Sequence, residues 1–551
     1  MEAKKYQAFW RGAIILTIAS FVTKVLSAFY RIPYQNIAGD IGFYIYQQIY
    51  PFYGFCLILA TYGFPVIISK MVAERLERGK QKEAEEIICV SFWFLLGIGF
   101  IGFFTLFFGA ETIAVAMGDI HLDKLLRVIS FSFLLMPFLS VARGYFQGFN
   151  NMMPTAVSQV IEQTIRVSII VFLSLFLIAH GFDLYTVGAG AMLGSIAGGL
   201  IGIIVLILYM RQDFRSIFFK SAARIKGKRK IVKILFWQGL AICVSNLVLI
   251  FIQMADSVSF YSLLIGAGEQ AENAKVLKGV YDRSIPLMQL GTVVTTSFSL
   301  SLIPIITAAK ERGDLSFIQE KVKLAMKITF VIGLAAAIGL TCIIQPTNIM
   351  LFENSDGSDV LSILSLSILF SSLSITTASI LQGLGQTFKP ALFVVFGGCL
   401  KLGLNYIFMP YFGVKGAAFA TLCALIIISG LNSLLLTRAV SGSLINKRNM
   451  LGIVISGICM GFVLMMFTRV LQMSGLVINT EHRGSATLEA LLGVAIGGLT
   501  YMFFILKLRV FTKKRIRNRY ETREKRRFIE EEWIEVTGCE WNHYYFRFRS
   551  W

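Results

Sequence analysis

Apolar stretches of about 20 residues recur along the whole of this 551-residue sequence, and that recurrence limits the possible folds more than any other feature. Hydrocarbon cannot hydrogen-bond a backbone, so a chain made of such stretches must form helices that satisfy their own amides. The alternating pattern of a membrane β-barrel is absent. With 56% hydrophobic residues, 15% charged residues and a mean hydropathy of +0.70, the sequence lacks the polar residues needed to cover a soluble core of this size. The reading is an all-α polytopic membrane protein. Fourteen spans are expected, at 11–31, 42–69, 87–109, 124–146, 155–179, 184–210, 232–265, 280–308, 322–345, 359–383, 388–410, 414–437, 450–472 and 487–509. The first run contains Lys24 and is followed by no clear small-residue cleavage site, so it reads as a span and not a signal peptide.

Charge sorts the connections into two sets. One set is basic: Lys70 to Lys82, Arg143, Arg211 to Lys230, Lys310 to Lys321, Lys389, Arg438 to Arg448, and the tail from Arg509 to Arg527. The other is cation-poor or acidic: Asp40, then Glu111 to Asp123, Asp183, Glu269 and Glu272, and Glu353 to Asp359. Lys415 and the Glu481–Arg483 loop depart weakly from the pattern. The positive-inside rule then puts both termini in the cytoplasm of a multi-pass cell-membrane protein. The net charge of +20 is explained by these loops and by anionic lipid heads, without nucleic acid. Seven of the eight cysteines lie in apolar segments, and no C-x-x-C pair supports a zinc site or a disulfide framework.

Three motif pairs recur in the same order. Pro65 in GFPVIISKMVAE answers Pro304 in SLIPIITAAKE, YFQGFNNMMPTA answers ILQGLGQTFKPA, and TVGAGAMLGSIAG answers GVKGAAFATLCA, at offsets of 239, 235 and 228. An even number of spans per unit gives a parallel repeat. The expected organisation is therefore an N-terminal lobe (1–210, helices 1–6), a basic amphipathic linker (211–231), a C-terminal lobe (232–440, helices 7–12), two further helices (441–509) and a basic, aromatic tail (510–551).

Ionisable residues inside spans are site candidates by default, because each costs about 2.5–3.5 kcal/mol to insert. Lys24 lies about 18 Å into its span at helical rise, too deep to reach the cytoplasmic face. Arg31 falls near the end of the same span, where either interfacial anchoring or a cavity role is open. Asp282 and Arg283 open the eighth span, either paired with each other or with Arg283 facing a cavity. Glu162 and Arg166 are four apart and suit an ion pair on one helix face, with gating by its rupture as the sharper reading. Asp256 is the acidic candidate of the seventh span, as partner to a cation or as a cation-coupling group. Lys401 and Asn405 are one turn apart. Gln159, Asn246 and Gln253 read as interhelical hydrogen-bonding groups. Pro65, Pro137, Pro286 and Pro304 are candidate bends.

TKVLSAFYRIP, YGFPVIISKMVAE, RGYFQGFNNMMPTAVSQVIEQTIR and VYDRSIPLMQLGTVV together resemble the polysaccharide biosynthesis/stage V sporulation protein B family of the MOP exporter superfamily, relatives of the MurJ lipid II flippases. The resemblance covers nearly all of 8–509. It implies a fourteen-helix, two-lobed transporter that moves undecaprenyl-pyrophosphate-linked cell-wall or polysaccharide precursors, lipid II among them, to the outer leaflet. It also implies pyrophosphate-binding positions at Lys24, Arg31 and Arg283, with Lys24 standing where the MurJ pattern has Arg. No cofactor is expected; Na+ or H+ coupling, or the membrane potential, would drive transport. Membrane lipids, the lipid-linked saccharide and cell-wall synthesis enzymes are the expected partners. The competing readings are a MATE-like multidrug or cation antiporter, an intramembrane glycosyltransferase, and a scaffold for cell-wall synthesis. The antiporter calls for acidic cavity groups, and the transferase for a large outward domain. No P-loop supports ATP hydrolysis.

Overall fold

The computed structural model describes residues 2–210, 227–442, 444–473 and 482–511. The expected linker helix falls mostly within 211–226, and the tail from 512 on, so both lie outside the described residues. Every element among the described residues is helical. Helices α1 to α8 run Glu2–Phe29, Arg31–Ile58, Phe64–Glu77, Gln81–Phe108, Ala110–Ala116, Asp123–Gly148, Met153–Ala179 and Leu184–Met210. After the gap come α9 (Lys228–Ile234), α10 (Leu240–Ser245), α11 (Val248–Gly266), α12 (Ala271–Asp282), α13 (Ser284–Glu311), α14 (Leu315–Cys342), α15 (Ile344–Phe352) and α16 (Ser358–Gly383). The series closes with α17 (Phe388–Phe412), α18 (Val414–Val440), α19 (Lys447–Met473) and α20 (Arg483–Lys507). Among the described residues, 12 segments are long and apolar enough to cross a membrane. The first, Ile15–Glu77, is 63 residues long, about 95 Å at helical rise and far more than one crossing needs.

That segment folds back on itself at Gly39, whose φ of 68° and ψ of −178° interrupt α2. Glycine supplies this conformation without a Cβ clash. The contacts on either side are those of a helical hairpin: the Tyr30 and Tyr46 hydroxyls lie 2.8 Å apart, Tyr34 packs on Tyr46 and Phe43, and Gln35 Nε2 donates to Asp40 Oδ1. The first span therefore continues past Arg31 to the Gly39 reversal. Arg31 is thus an interior residue and not an interfacial one. A second irregularity, the π-turn Leu59–Gly63, precedes Pro65, and a matching one at Leu235–Gly239 precedes the break between α10 and α11. Pro137 sits inside α6, and Pro51, not anticipated, sits inside α2.

Helices α3, α4, α6, α7 and α8 pack mainly among themselves, and α11, α13, α14, α16, α17 and α18 do the same. Contacts between the two sets run through α1 against α13 and α2 against α11 and α12, while α19 and α20 pack on α14 and α15. The Gln-Gly motifs form two similar turns. Each helix ends on the motif's glycine, Gly148 or Gly383, and passes through a left-handed residue, Asn150 at φ 58° or Gly385 at φ 77°.

The closest helix pairing in the first set brings α8 onto α7 through small residues. A Cβ at Gly198 would lie 2.7 Å from the Glu162 carbonyl oxygen, and one at Gly194 would lie 3.0 Å from that of Arg166. These glycines let α7 seat its charged residues against a neighbouring backbone. Gly198→Ala is expected to cost about 1–3 kcal/mol by overpacking against that carbonyl. Gly430→Ala, where nothing lies within 4 Å, is the control expected to lose nothing. Thermal unfolding in detergent compares the two.

Candidate functional site

A cavity of about 210 Å³ lies between the two sets of helices. Its wall takes Lys24 and Ser27 from α1, Tyr50 and Thr61 from the second crossing, Glu162 and Arg166 from α7, Gln253 from α11 and Gln289 from α13. Both broken crossings contribute here. Thr61 and Tyr62 belong to the π-turn, and Ser245 and Asn246 flank the α10–α11 break, so irregular backbone lines the cavity. Such backbone is tolerated at membrane depth only where it borders a cavity or protein. Wall residues sit in the middle and basic-loop halves of their helices. The acidic-loop end is shut.

Lys24 Nζ lies 5.8 Å from the centre of the Tyr62 ring, and among the described residues it has no ion-pair partner. Arg31 is fully buried at the cavity's inner end. Its Nη1 donates to Gln289 Oε1 at 2.6 Å and to the Ser27 carbonyl at 2.7 Å, and its guanidinium stacks 4.3 Å from the Tyr50 ring centre. Arg31 Nε and Nη2 donate to no protein atom.

Glu162 and Arg166 form the expected pair, at 2.6 Å. A third member was hidden in the sequence. Arg143, read there as part of a basic loop, is buried within α6, and its Nη2 lies 2.5 Å from Glu162 Oε2. Thr61 Oγ1 also accepts from Arg143, and Gln163 Oε1 from Arg166. The triad carries one positive charge in excess. Gln159 and Gln253 face the cavity, as does Asn246, whose side chain donates to Ile242 O of its own turn; the expected interhelical bonds are not what these residues make.

The remaining candidates lie elsewhere. Arg283 does not line the cavity. It is wholly buried at the acidic-loop end, where Nη2 reaches both Asp40 oxygens at 2.8 and 2.7 Å, Nε donates to Asp40 Oδ1 at 3.0 Å, and Nη1 donates to Asn354 and Asn348. Asp282 is not paired with Arg283, because consecutive helical residues point apart; Lys278, four residues earlier, holds Asp282 Oδ1 at 2.5 Å. Asp256 pairs with Lys401 at 2.8 Å and accepts from Asn405 and the Tyr281 hydroxyl. Lys401 also donates to Asn405 Oδ1 and the Ala417 carbonyl, so its three protons are matched by three acceptors. A second bridge at the acidic-loop end joins Lys275 to Asp119 and to the Tyr185 hydroxyl.

The cavity wall thus holds two cations, Lys24 and Arg166, and one carboxylate, Glu162, and two more cations stand behind it, Arg31 on Gln289 and Arg143 on Glu162. The Asp256–Lys401 and Lys278–Asp282 pairs behind it are neutral. Such a wall favours an anion and leaves guanidinium and ammonium donors free to bind it.

Comparison with known proteins agrees with this architecture. The sequence profile of the family described as polysaccharide biosynthesis protein matches residues 9–310. An uncharacterized membrane protein, YabM of Bacillus subtilis (strain 168), is 41% identical over 92% of this chain and 94% of its own length. Lipid II flippase MurJ of the same organism is 26% identical over 90% and 94%, and its stage V sporulation protein B is 25% identical over 93% and 97%. Among solved structures, lipid II flippase MurJ in an inward closed conformation superposes with a TM-score of 0.65 at 16% identity, covering 90% of this chain and 99% of that one. An inward-facing MATE multidrug transporter of the MOP superfamily gives 0.63 at 17% identity, over 78% and 98%.

Proposed function

The chain belongs to the polysaccharide biosynthesis protein family, and from that premise we propose that it is a flippase for an anionic lipid-linked saccharide. The cargo class is an undecaprenyl-pyrophosphate-linked cell-wall or polysaccharide precursor, carried from the inner to the outer leaflet of the bacterial cell membrane by alternating access. The basic loops and both termini face the cytoplasm. The observation that supports this is the charge at the cavity: Lys24 and Arg166 against Glu162 in the wall, with Arg31 and Arg143 buried directly behind it on the wall residues Gln289 and Glu162. A pyrophosphate offers a matching charge, with Lys24 as a point charge in the wall and Arg31, buried just behind it, as the guanidinium with two unpartnered donors. A cationic drug would meet a repulsive wall, which weighs against the MATE-like antiporter. The relative that is a lipid II flippase supports the lipid-linked cargo.

The cavity is smaller than the roughly 300–1,000 Å³ of ordinary ligand sites. At this size it suits the pyrophosphate end of the cargo. The saccharide requires the two sets of helices to part at the basic-loop end. The expected organisation into two lobes of six helices, with two helices outside, supplies that movement.

The test is outward exposure of a fluorescent undecaprenyl-pyrophosphate saccharide in proteoliposomes. Lys24→Ala and Arg31→Ala are each expected to slow it about tenfold or more, the loss of one charge-assisted contact worth about 1.5–3 kcal/mol. Lys24→Arg should keep most of the rate. Unchanged flipping in folded alanine variants overturns the cavity assignment, and loss of binding without loss of cell-wall phenotype favours a scaffold.

A further inference from the structure

A small chamber lies behind the cavity wall and shares Leu249, Gln253 and Gln289 with it. Gln47 of α2, Asp256 of α11, and Lys278 and Asp282 of α12 also border it. Its volume of about 30 Å³ has room for one or two water-sized occupants. Four buried polar atoms in its lining have no protein partner: Asp282 Oδ2, Gln253 Oε1, and both Oε1 and Nε2 of Gln47. Asp282 and Gln47 are 1% and 2% exposed, so bulk water does not explain them. Buried polar groups are matched in the great majority of cases, so four in one chamber point to an occupant.

Their chemistry narrows what that occupant is. Three are acceptors and one is a donor, so the set lacks protons. Asp282 Oδ2 is the one carboxylate oxygen there that receives nothing, since Lys278 holds Oδ1 and the oxygens of Asp256 receive Lys401, Asn405 and Tyr281. A proton on Asp282 Oδ2 turns that acceptor into a donor for the amide oxygens, directly or through one water, and the water's own lone pairs serve Gln47 Nε2. A sodium ion would serve the oxygens but repel the amide donor. The neighbouring cage at Asp256 is closed to any ion by the ammonium of Lys401, which fills it.

We propose that Asp282 is a proton-binding site that exchanges with the cavity through this chamber, and that transport is coupled to protons and not to sodium. Gln289 links the two spaces: it borders the chamber and accepts from Arg31, the cavity cation placed for the cargo. Gln47 comes from α2 and Asp282 from α12, two helices that meet where the two sets of helices touch, so the chamber lies on the boundary that must shear during transport. The groups facing Asp282 are Lys278 and Tyr281 of its own helix, Asp256 of α11, Lys401 of α17, and the adjoining Arg283–Asp40 pair.

The transport arm of the test rests on the flippase reading; the first arm does not. Infrared difference spectra of the full chain in vesicles, acid minus alkaline, should show a protonated carboxyl band that Asp282→Asn removes, identical in sodium and potassium salts. Because Asp282→Asn strands Lys278, the double variant Lys278→Gln/Asp282→Asn provides a neutral pair and should also lack the band. In proteoliposomes, an imposed pH gradient should raise wild-type flipping several-fold and leave both variants unmoved, while a sodium gradient does nothing. A carboxyl band that survives in both variants overturns the site. A sodium-driven rate, or a pH response retained in the variants, overturns proton coupling at Asp282. A band that behaves as expected with no flipping of any cargo leaves the proton site standing and removes the flippase reading.

Discussion

Glu162→Gln is expected to lower stability by about 3–5 kcal/mol, the cost of removing one partner from a buried ion pair. Glutamine keeps the shape and removes the charge, so no cavity term enters. What remains is two guanidiniums, Arg143 and Arg166, with exposures of 0% and 3% and no counter-charge. Their other contacts do not compensate. Thr61 and Ser158 accept from Arg143, Gln163 accepts from Arg166, and the Tyr53 ring lies 4.8 Å from the Arg166 guanidinium, all of them neutral groups. The double variant Arg143→Gln/Glu162→Gln should regain part of the loss, because it removes one of the two stranded charges and returns the cluster to a single excess positive charge, on Arg166. Thermal unfolding in detergent, with the yield of monodisperse protein beside it, measures the series. A loss below about 1 kcal/mol would mean that cavity water screens the triad, and the wall would then attract anions less than its charges suggest. The triad therefore ties α6 to α7 and sets the sign of the cavity.

The sequence revealed what local spacing controls. Apolar runs of bilayer length gave the all-α membrane fold. The i, i+4 rule gives the Glu162–Arg166 pair and the Lys401–Asn405 contact, and the same spacing in KGVYD holds the Lys278–Asp282 pair. Depth counting placed Lys24 in the wall. It left Arg31 open between interface and cavity, because the turn of the first hairpin is a single glycine, Gly39, set well beyond the end of the apolar run. Positive-inside counting took Arg143 for a loop residue; its partner lies 19 positions away on the next helix, and nothing local announces it. The partners of Arg283 are more remote still, with Asp40 separated from it by 243 positions. Contacts across the boundary between the two sets of helices follow from how the sets pack, and a single sequence carries no local trace of that packing.

Asp40→Asn is expected to open the acidic-loop end. Arg283 grips Asp40 with three hydrogen bonds, and it is fully buried, so this is a desolvated charge pair whose truncation typically costs 2–5 kcal/mol. Asp40 belongs to the first hairpin and Arg283 to the α12–α13 junction, so the cost falls on the closed arrangement and not on either set of helices alone. A bias of about 2–3 kcal/mol shifts a two-state equilibrium roughly 30- to 150-fold, enough to populate an opened form. Close packing reinforces the contact: a Cβ at Gly279 would lie 2.1 Å from the Asp40 carbonyl oxygen, so α12 rests directly on the hairpin backbone. Spin labels at the exposed positions Glu111 and Glu272, in a cysteine-depleted background, report the separation. The wild type should give one narrow distance and Asp40→Asn a longer, broader one, while Asp40→Asn/Arg283→Gln, which leaves no unpaired charge, should return most of the way to the narrow distance. An unchanged distribution in Asp40→Asn would place closure instead on Lys275, which reaches Asp119 and the Tyr185 hydroxyl at the same end. In either case the arginine expected to serve the cargo's pyrophosphate is held by a carboxylate while that end is shut. Opening frees it only after Asp40 has moved away, so Lys24 and Arg31 are the cations that meet the cargo first.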